Sequence, residues 1–174
     1  MHSTLNEAIT AYATLAIAAL TLVSVGVAYV AFRSQVRSFS ASVSADMALK
    51  LLREFDSETL IALRGRVAQG FLVGHPISEA EILFDFLEQV GFFLRKGLIE
   101  VDVAHSFFFH WVNIYWLAGK SMIEKKRDGA EGLWKDFEYL YRKTLEVEAS
   151  TDHRSRFINP SSELLRACLE EELV

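Results

Sequence analysis

Cysteine and proline are nearly missing from this chain. Its single cysteine, Cys168, cannot close an internal disulfide, which excludes the small stapled scaffolds of secreted proteins and suits a reducing compartment. The two prolines, Pro76 and Pro160, both fall where helices are expected to end or begin. No run alternates between apolar and polar residues for long enough to make a strand. There is no Gly-x-Ser-x-Gly elbow, no phosphate-binding loop and no dinucleotide fingerprint. A net charge of -5 over 174 residues provides no global basic field for nucleic acid. The length suits one domain, without room for a second large catalytic one.

Charge is also absent from the start of the chain. Residues 8–32, AITAYATLAIAALTLVSVGVAYVAF, are 25 consecutive residues without a formal charge, and about 20 such residues cross the hydrocarbon of a bilayer as a helix. The expectation is a transmembrane helix. Val43-Ser44-Ala45 has the small-residue spacing of a signal-peptidase site. Against cleavage stand the missing basic residue before the run, its excess over a signal core of roughly 7 to 15 residues, and Arg33 and Arg37 between the run and that site. No Lys or Arg precedes residue 33, so Arg33 and Arg37 determine the topology: the tail 1–7 faces outward and the remainder is cytoplasmic. The location implied is the inner, cytoplasmic membrane, with the lipid bilayer as one partner. Thr10, Thr14, Thr21, Ser24, Ala28 and Ala31 place small or hydroxyl side chains on one stripe of the span, a composition ordinary in an anchor.

The fold class expected is all-α: the anchor continues as a helical stalk and first bundle helix over 33–55, followed by a bundle over 56–149 and a loop with a short last helix over 150–174. The cytoplasmic bundle then has about four to five helices. Ser34, Ser38, Ser40, Ser42 and Ser44 punctuate the stalk, while Val36, Phe39, Val43, Met47, Leu51 and Phe55 recur at helical spacing. Asp56 or Ser57 can cap a helix over 60–72, ended by Gly70, Gly74 and Pro76. Ser78 and Glu81 have the spacing of a capping box, and the helix they open runs to Gly97. Asp102 is placed to cap a helix over 103–126. Leu133, Trp134, Phe137, Leu140, Tyr141 and Leu145 share one face of the next helix, and Pro160 with Ser161-Ser162 begins the last.

Leu52-Arg53-Glu54-Phe55, Phe86-Leu87-Glu88-Gln89-Val90-Gly91, Arg95-Lys96-Gly97-Leu98-Ile99, Tyr115-Trp116 and Phe137-Glu138-Tyr139-Leu140-Tyr141 follow the anchor in that order. In this order and spacing, over residues 8–145, the chain resembles a bacterial domain-of-unknown-function family of small membrane-anchored helical proteins. The resemblance implies the anchor-plus-helices plan and carries no catalytic residues. The tail around Cys168 lies outside it.

Residue chemistry points to no reaction. Asp102 to His105 is a lone approach to the carboxylate-x-x-His unit of di-iron bundles, which need two. His105 and His110 are five apart and diverge on a helix, so they make no i, i+4 pair. Cys168 sits among Leu164, Leu165 and Leu169, with acidic neighbours that oppose a thiolate. No catalytic, cofactor or metal residues are therefore expected. Lys125-Lys126-Arg127 is explained by the C-terminal end of a helix. Aromatic density is the anomaly. The helix from Val103 is apolar around most of its circumference, as a central core helix is, and Phe109 and Trp116 make a second apolar face on it. Phe84 and Phe92 lie among Asp85, Glu88 and Arg95. These four rings, Phe84, Phe92, Phe109 and Trp116, are the candidate interaction surface. The function expected is a membrane-anchored binding, scaffold or regulatory module with a protein partner or a second copy of itself. A sensor of a small apolar or lipid ligand in an aromatic pocket, and less so an enzyme, are the alternatives.

Overall fold

The computed structural model describes residues 2–152 and 155–173, without the side chains of residues 2–16, 18, 19, 36–38, 40 and 41 of the first helix. Among the described residues there are six helices and no strand: α1 (His2–Phe55), α2 (Glu58–Leu72), α3 (Ala80–Arg95), α4 (Val101–Arg127), α5 (Lys135–Thr151) and α6 (Ser162–Glu171). The all-α expectation holds. The chain divides into two units, residues 1–42 and residues 43–174.

The first unit is the greater part of α1. Every large apolar side chain described in it from Ile17 to Phe32 is between 62 and 75% exposed. Thr21 and Ser24 turn their hydroxyls back to the carbonyls of Ile17 and Leu20, each at 2.8 Å. Among the described residues no helix is long and apolar enough to cross a membrane. Part of the expected span, residues 8–16, 18 and 19, has its side chains outside them, as does the Arg37 topology determinant.

In the second unit α4 is the central helix. Phe108, Val112, Ile114 and Tyr115 on it are at most 2% exposed. The last turns of α1 add Ala48, Leu51 and Phe55 to the core. Rings build much of the interior: Phe55 stacks on Phe86 with centroids 5.2 Å apart, Phe84 meets Trp134 edge-on at 5.2 Å, and Trp116 lies between Phe137 at 5.2 Å and Tyr141 at 5.5 Å. Such offset and edge-on pairs are favourable beyond the apolar area they bury.

The caps divide between expectation and correction. Ser57 and Ser161 cap α2 and α6, accepting from the N–H of Leu60 and Leu164. The Ser78/Glu81 box does not form. Ser78 Oγ is 3.2 Å from Glu79 Oε2, and α3 begins at Ala80 without a side-chain cap. Asp102 lies inside α4, whose N-cap is Glu100, and the Glu100 N–H donates to Ser44 Oγ of α1 at 2.7 Å. A long-range hydroxyl does the work expected of a local carboxylate.

The α5 start is also displaced. Leu133 and Trp134 precede the helix, and Trp134 is the N-cap in a left-handed conformation, φ 51°. A non-glycine residue is rarely held there, and three contacts hold it: its indole N–H donates to Asp85 at 2.8 Å, its carbonyl accepts from Arg127, and its ring packs on Phe84.

Candidate functional site

Three of the four rings proposed as an interaction surface are core. Phe84 is fully buried and Phe109 and Trp116 are each 8% exposed, while Phe92 alone keeps 39% exposure. The physical reason lies in the charged face of α3. Asp85, Glu88 and Arg95 do not mark the solvent side, because each has a partner at the start of α5 or just before it. Asp85 accepts from Trp134, Glu88 accepts from the Phe137 N–H at 2.6 Å, and Arg95 makes two hydrogen bonds to Asp136 at 2.6 and 2.9 Å. Glu88 thus supplies the side-chain cap that the α5 N-terminus lacks locally, although Asp136 and Glu138 already place acidic groups in its first turn. Burial raises its pKa above the ordinary carboxylate value, with the neighbouring Asp136 adding to the rise and the Phe137 N–H opposing it.

The exposed remainder is a small cationic and apolar patch at the end of α3. Phe92 is flanked by Arg95 and Lys96, whose charged ends lie 5.6 and 5.7 Å from its ring centroid, and Leu98 nearby is 43% exposed.

The richest polar constellation is elsewhere, on the seam between α4 and α6. Glu172, just beyond α6, turns a carboxylate that is 10% exposed into the domain. Trp111 donates its indole N–H to Oε1 at 2.9 Å, and Tyr115 donates its hydroxyl to Oε2 at 3.0 Å. Arg64 of α2 pairs through Nε with Oε2 at 2.9 Å, donates from Nη1 to the Phe55 carbonyl at 3.1 Å, and lies over the Phe55 ring at 4.2 Å. Gly65 allows this approach, because a Cβ there would lie 3.2 Å from the Glu172 carbonyl oxygen. Burial, with the adjacent Glu172 charge, pushes the Tyr115 phenol well above its ordinary range. Tyr115 therefore stays a donor, and the carboxylate has its charge partner and two further donors. The arrangement suits a latch for the C-terminal segment better than a general base, which needs a free lone pair.

Beside this latch the fold assembles a group that sequence spacing does not reveal. His110 of α4, with Cys168 and Glu171 of α6, bring one ligand-type atom each to within 4.8 Å of one another. The His105/His110 pair considered in the sequence is indeed separated, since His105 bonds Glu148 at 2.9 Å and stacks on Phe109. Burial lowers the His110 pKa, against the nearby Glu171 and Glu172, and burial raises the Cys168 thiol, with Glu171 adding to the rise. The i, i+3 spacing of Cys168 and Glu171 was legible on one helix. Its partner 58 positions earlier was not.

Comparison with family models, with curated proteins and with solved structures finds no match.

Proposed function

We propose that this chain is a single-pass protein of a bacterial inner membrane whose helical domain, on the cytoplasmic side, works by binding another protein. The observation that carries the anchor is the outward-turned apolar surface from Ile17 to Phe32. Water disfavours so much exposed hydrocarbon, and patches far smaller usually mark a contact surface. Lipid accommodates it, and the Thr21 and Ser24 hydroxyls already satisfy themselves on their own helix, as a bilayer demands. The uncharged run extends back to Ala8, and the first basic residue is Arg33, which supports an outward N-terminus. The resemblance to small membrane-anchored helical proteins agrees with this plan.

The binding half of the reading rests on the Phe92 patch. A ring beside Lys96 and next to an exposed leucine suits an acidic, partly apolar protein surface, since aromatic side chains are among the usual anchors of interfaces. The α4 rings Trp111 and Trp116 are packed against Phe55 of α1 and against Phe137 and Tyr141 of α5, which favours a protein partner over a small apolar ligand held among them.

Native Cys168 is 2% exposed, so it reports burial rather than sidedness. The test therefore uses Cys168→Ser chains carrying Ser3→Cys or Lys96→Cys. In intact spheroplasts a membrane-impermeant maleimide should label the first and spare the second. The reverse pattern overturns the orientation, and extraction of the chain by alkaline carbonate overturns the anchor. For the binding half, a photocrosslinker at Leu98 in the membrane-embedded chain should yield a protein adduct that Phe92→Ala removes. An adduct unchanged by Phe92→Ala excludes this patch.

A further inference from the structure

We propose that His110, Cys168 and Glu171 form a binding site for a zinc-class divalent cation that clips α6 to α4. An imidazole, a thiolate and a carboxylate are the three ligand types zinc takes, and their combination suits zinc better than magnesium or calcium, which prefer oxygen alone. Metal–ligand bonds of about 2.0 to 2.3 Å put tetrahedral donors roughly 3.5 Å apart. The present spread, within 4.8 Å, is closed by side-chain rotation. Cys168 is held in place by burial, whereas Glu171 is exposed and lies one turn further along the same helix face, free to swing inward.

Two further observations favour a ligand here. The His110 ring packs edge-on to Trp111 and Phe157 with centroids 5.9 and 5.6 Å away, yet its nitrogens have no hydrogen-bond partner among the described residues. One turn along α4, Asn113 is 1% exposed and donates to the Phe157 carbonyl at 2.8 Å, while its Oδ1 is without a partner. Asn113 and Cys168 line the same narrow crevice. The charged groups that act on the site are Glu171 and Glu172, which favour a cation, and Arg156, which opposes it. Arg156 is exposed over the Phe157 ring and can withdraw. Binding breaks the Cys168 S–H bond, sends the proton to solvent and forms the metal–thiolate bond, with His110 and Glu171 as the other protein ligands and a water completing the tetrahedron.

The full chain, purified in detergent and stripped with a chelator, is titrated with Co²⁺ and followed by absorbance, then with Zn²⁺ in competition. The expected result is one equivalent of Co²⁺, a thiolate-to-cobalt charge-transfer band with the intense visible bands of a tetrahedral ion, and their loss on adding Zn²⁺. Cys168→Ser should abolish the charge-transfer band. Glu171→Gln, on an exposed side chain that leaves the helical circular dichroism intact, should weaken binding at least about tenfold, as His110→Gln should. Absence of the charge-transfer band in the folded chain overturns the site. So does a band that both Glu171→Gln and His110→Gln leave at unchanged affinity. If Cys168→Ser fails to fold, the Glu171→Gln result decides alone.

Discussion

Gly91 of α3 faces the backbone carbonyl of Asp136 at the start of α5 so closely that a Cβ on Gly91 would overlap that oxygen. The same Asp136 takes two hydrogen bonds from Arg95, one turn further along α3. The α3–α5 packing therefore depends on a missing methyl at one point and a bidentate ion pair at the next. Arg95 is 39% exposed and Asp136 only 6%, so the carboxylate depends on this partner more than the guanidinium does.

Gly91→Ala should consequently destabilise the domain although alanine favours helices. The backbone it meets cannot rotate away, and overpacking of this kind costs about 1–3 kcal/mol or more. Gly129→Ala, where an added Cβ has nothing within 4 Å, is the control and should leave the melting temperature nearly unchanged. Equal melting temperatures for the two variants would refute the close α3–α5 packing.

A pH prediction follows from Glu88. Its carboxyl is raised above about 4.5 chiefly by burial, so between that value and its folded value the native state holds a proton that the unfolded chain has released. Stability then falls as pH rises through this window. Glu88→Gln keeps an acceptor for the Phe137 N–H and cannot titrate. The difference in unfolding free energy, wild type minus Glu88→Gln, should therefore decline as pH rises from about 4 and level off above the folded value. A difference that rises with pH across that range would reverse the assigned direction.

Only Leu173 and Val174 follow Glu172 in the sequence, and a change at such a position is usually harmless. Here it should not be. Glu172→Ala leaves the Trp111 N–H and the Tyr115 hydroxyl without their acceptor and takes from Arg64 its nearer carboxylate, leaving it Asp56 and the Phe55 carbonyl, and losing buried partners of this kind costs about 2–5 kcal/mol. Glu172→Gln retains an oxygen and should cost less. Chemical denaturation read by tryptophan fluorescence gives both values, and a loss under about 0.5 kcal/mol for Glu172→Ala would show that the latch contributes nothing.

These residues also mark how far the sequence could be read. The helices themselves were legible because their periodicity and the Ser57 and Ser161 caps are local. Ser44 under α4 and Glu88 under α5 were not, since each caps a helix about 50 residues away, and no spacing rule reaches that far. The α3 charges misled for the same reason. A carboxylate seen alone reads as solvent-facing, and its buried partner is visible only once α5 is folded against it. The His110, Cys168 and Glu171 group needed α6 laid on α4, so the sequence reading expected no metal residues and did not join them.

Phe84 and Phe92 offer the sharpest separation of core from surface, because they sit on one helix, eight residues apart, with opposite environments. Phe84 is fully buried among Phe71, Trp134 and Phe137, and Phe84→Ala should remove about 3–5 kcal/mol, enough to unfold a marginal domain. Phe92 is 39% exposed and its ring contacts are Phe93 and two flanking cations. Phe92→Ala should therefore shift stability by no more than about 1 kcal/mol. Thermal melts of the two variants test the packing directly. The binding reading demands more of Phe92, since its loss must weaken association in the membrane-embedded chain while the melt stays in place. A Phe92→Ala chain that melts normally and keeps every crosslinked adduct would leave this patch as ordinary surface, and the anchored domain would have to bind through some other face.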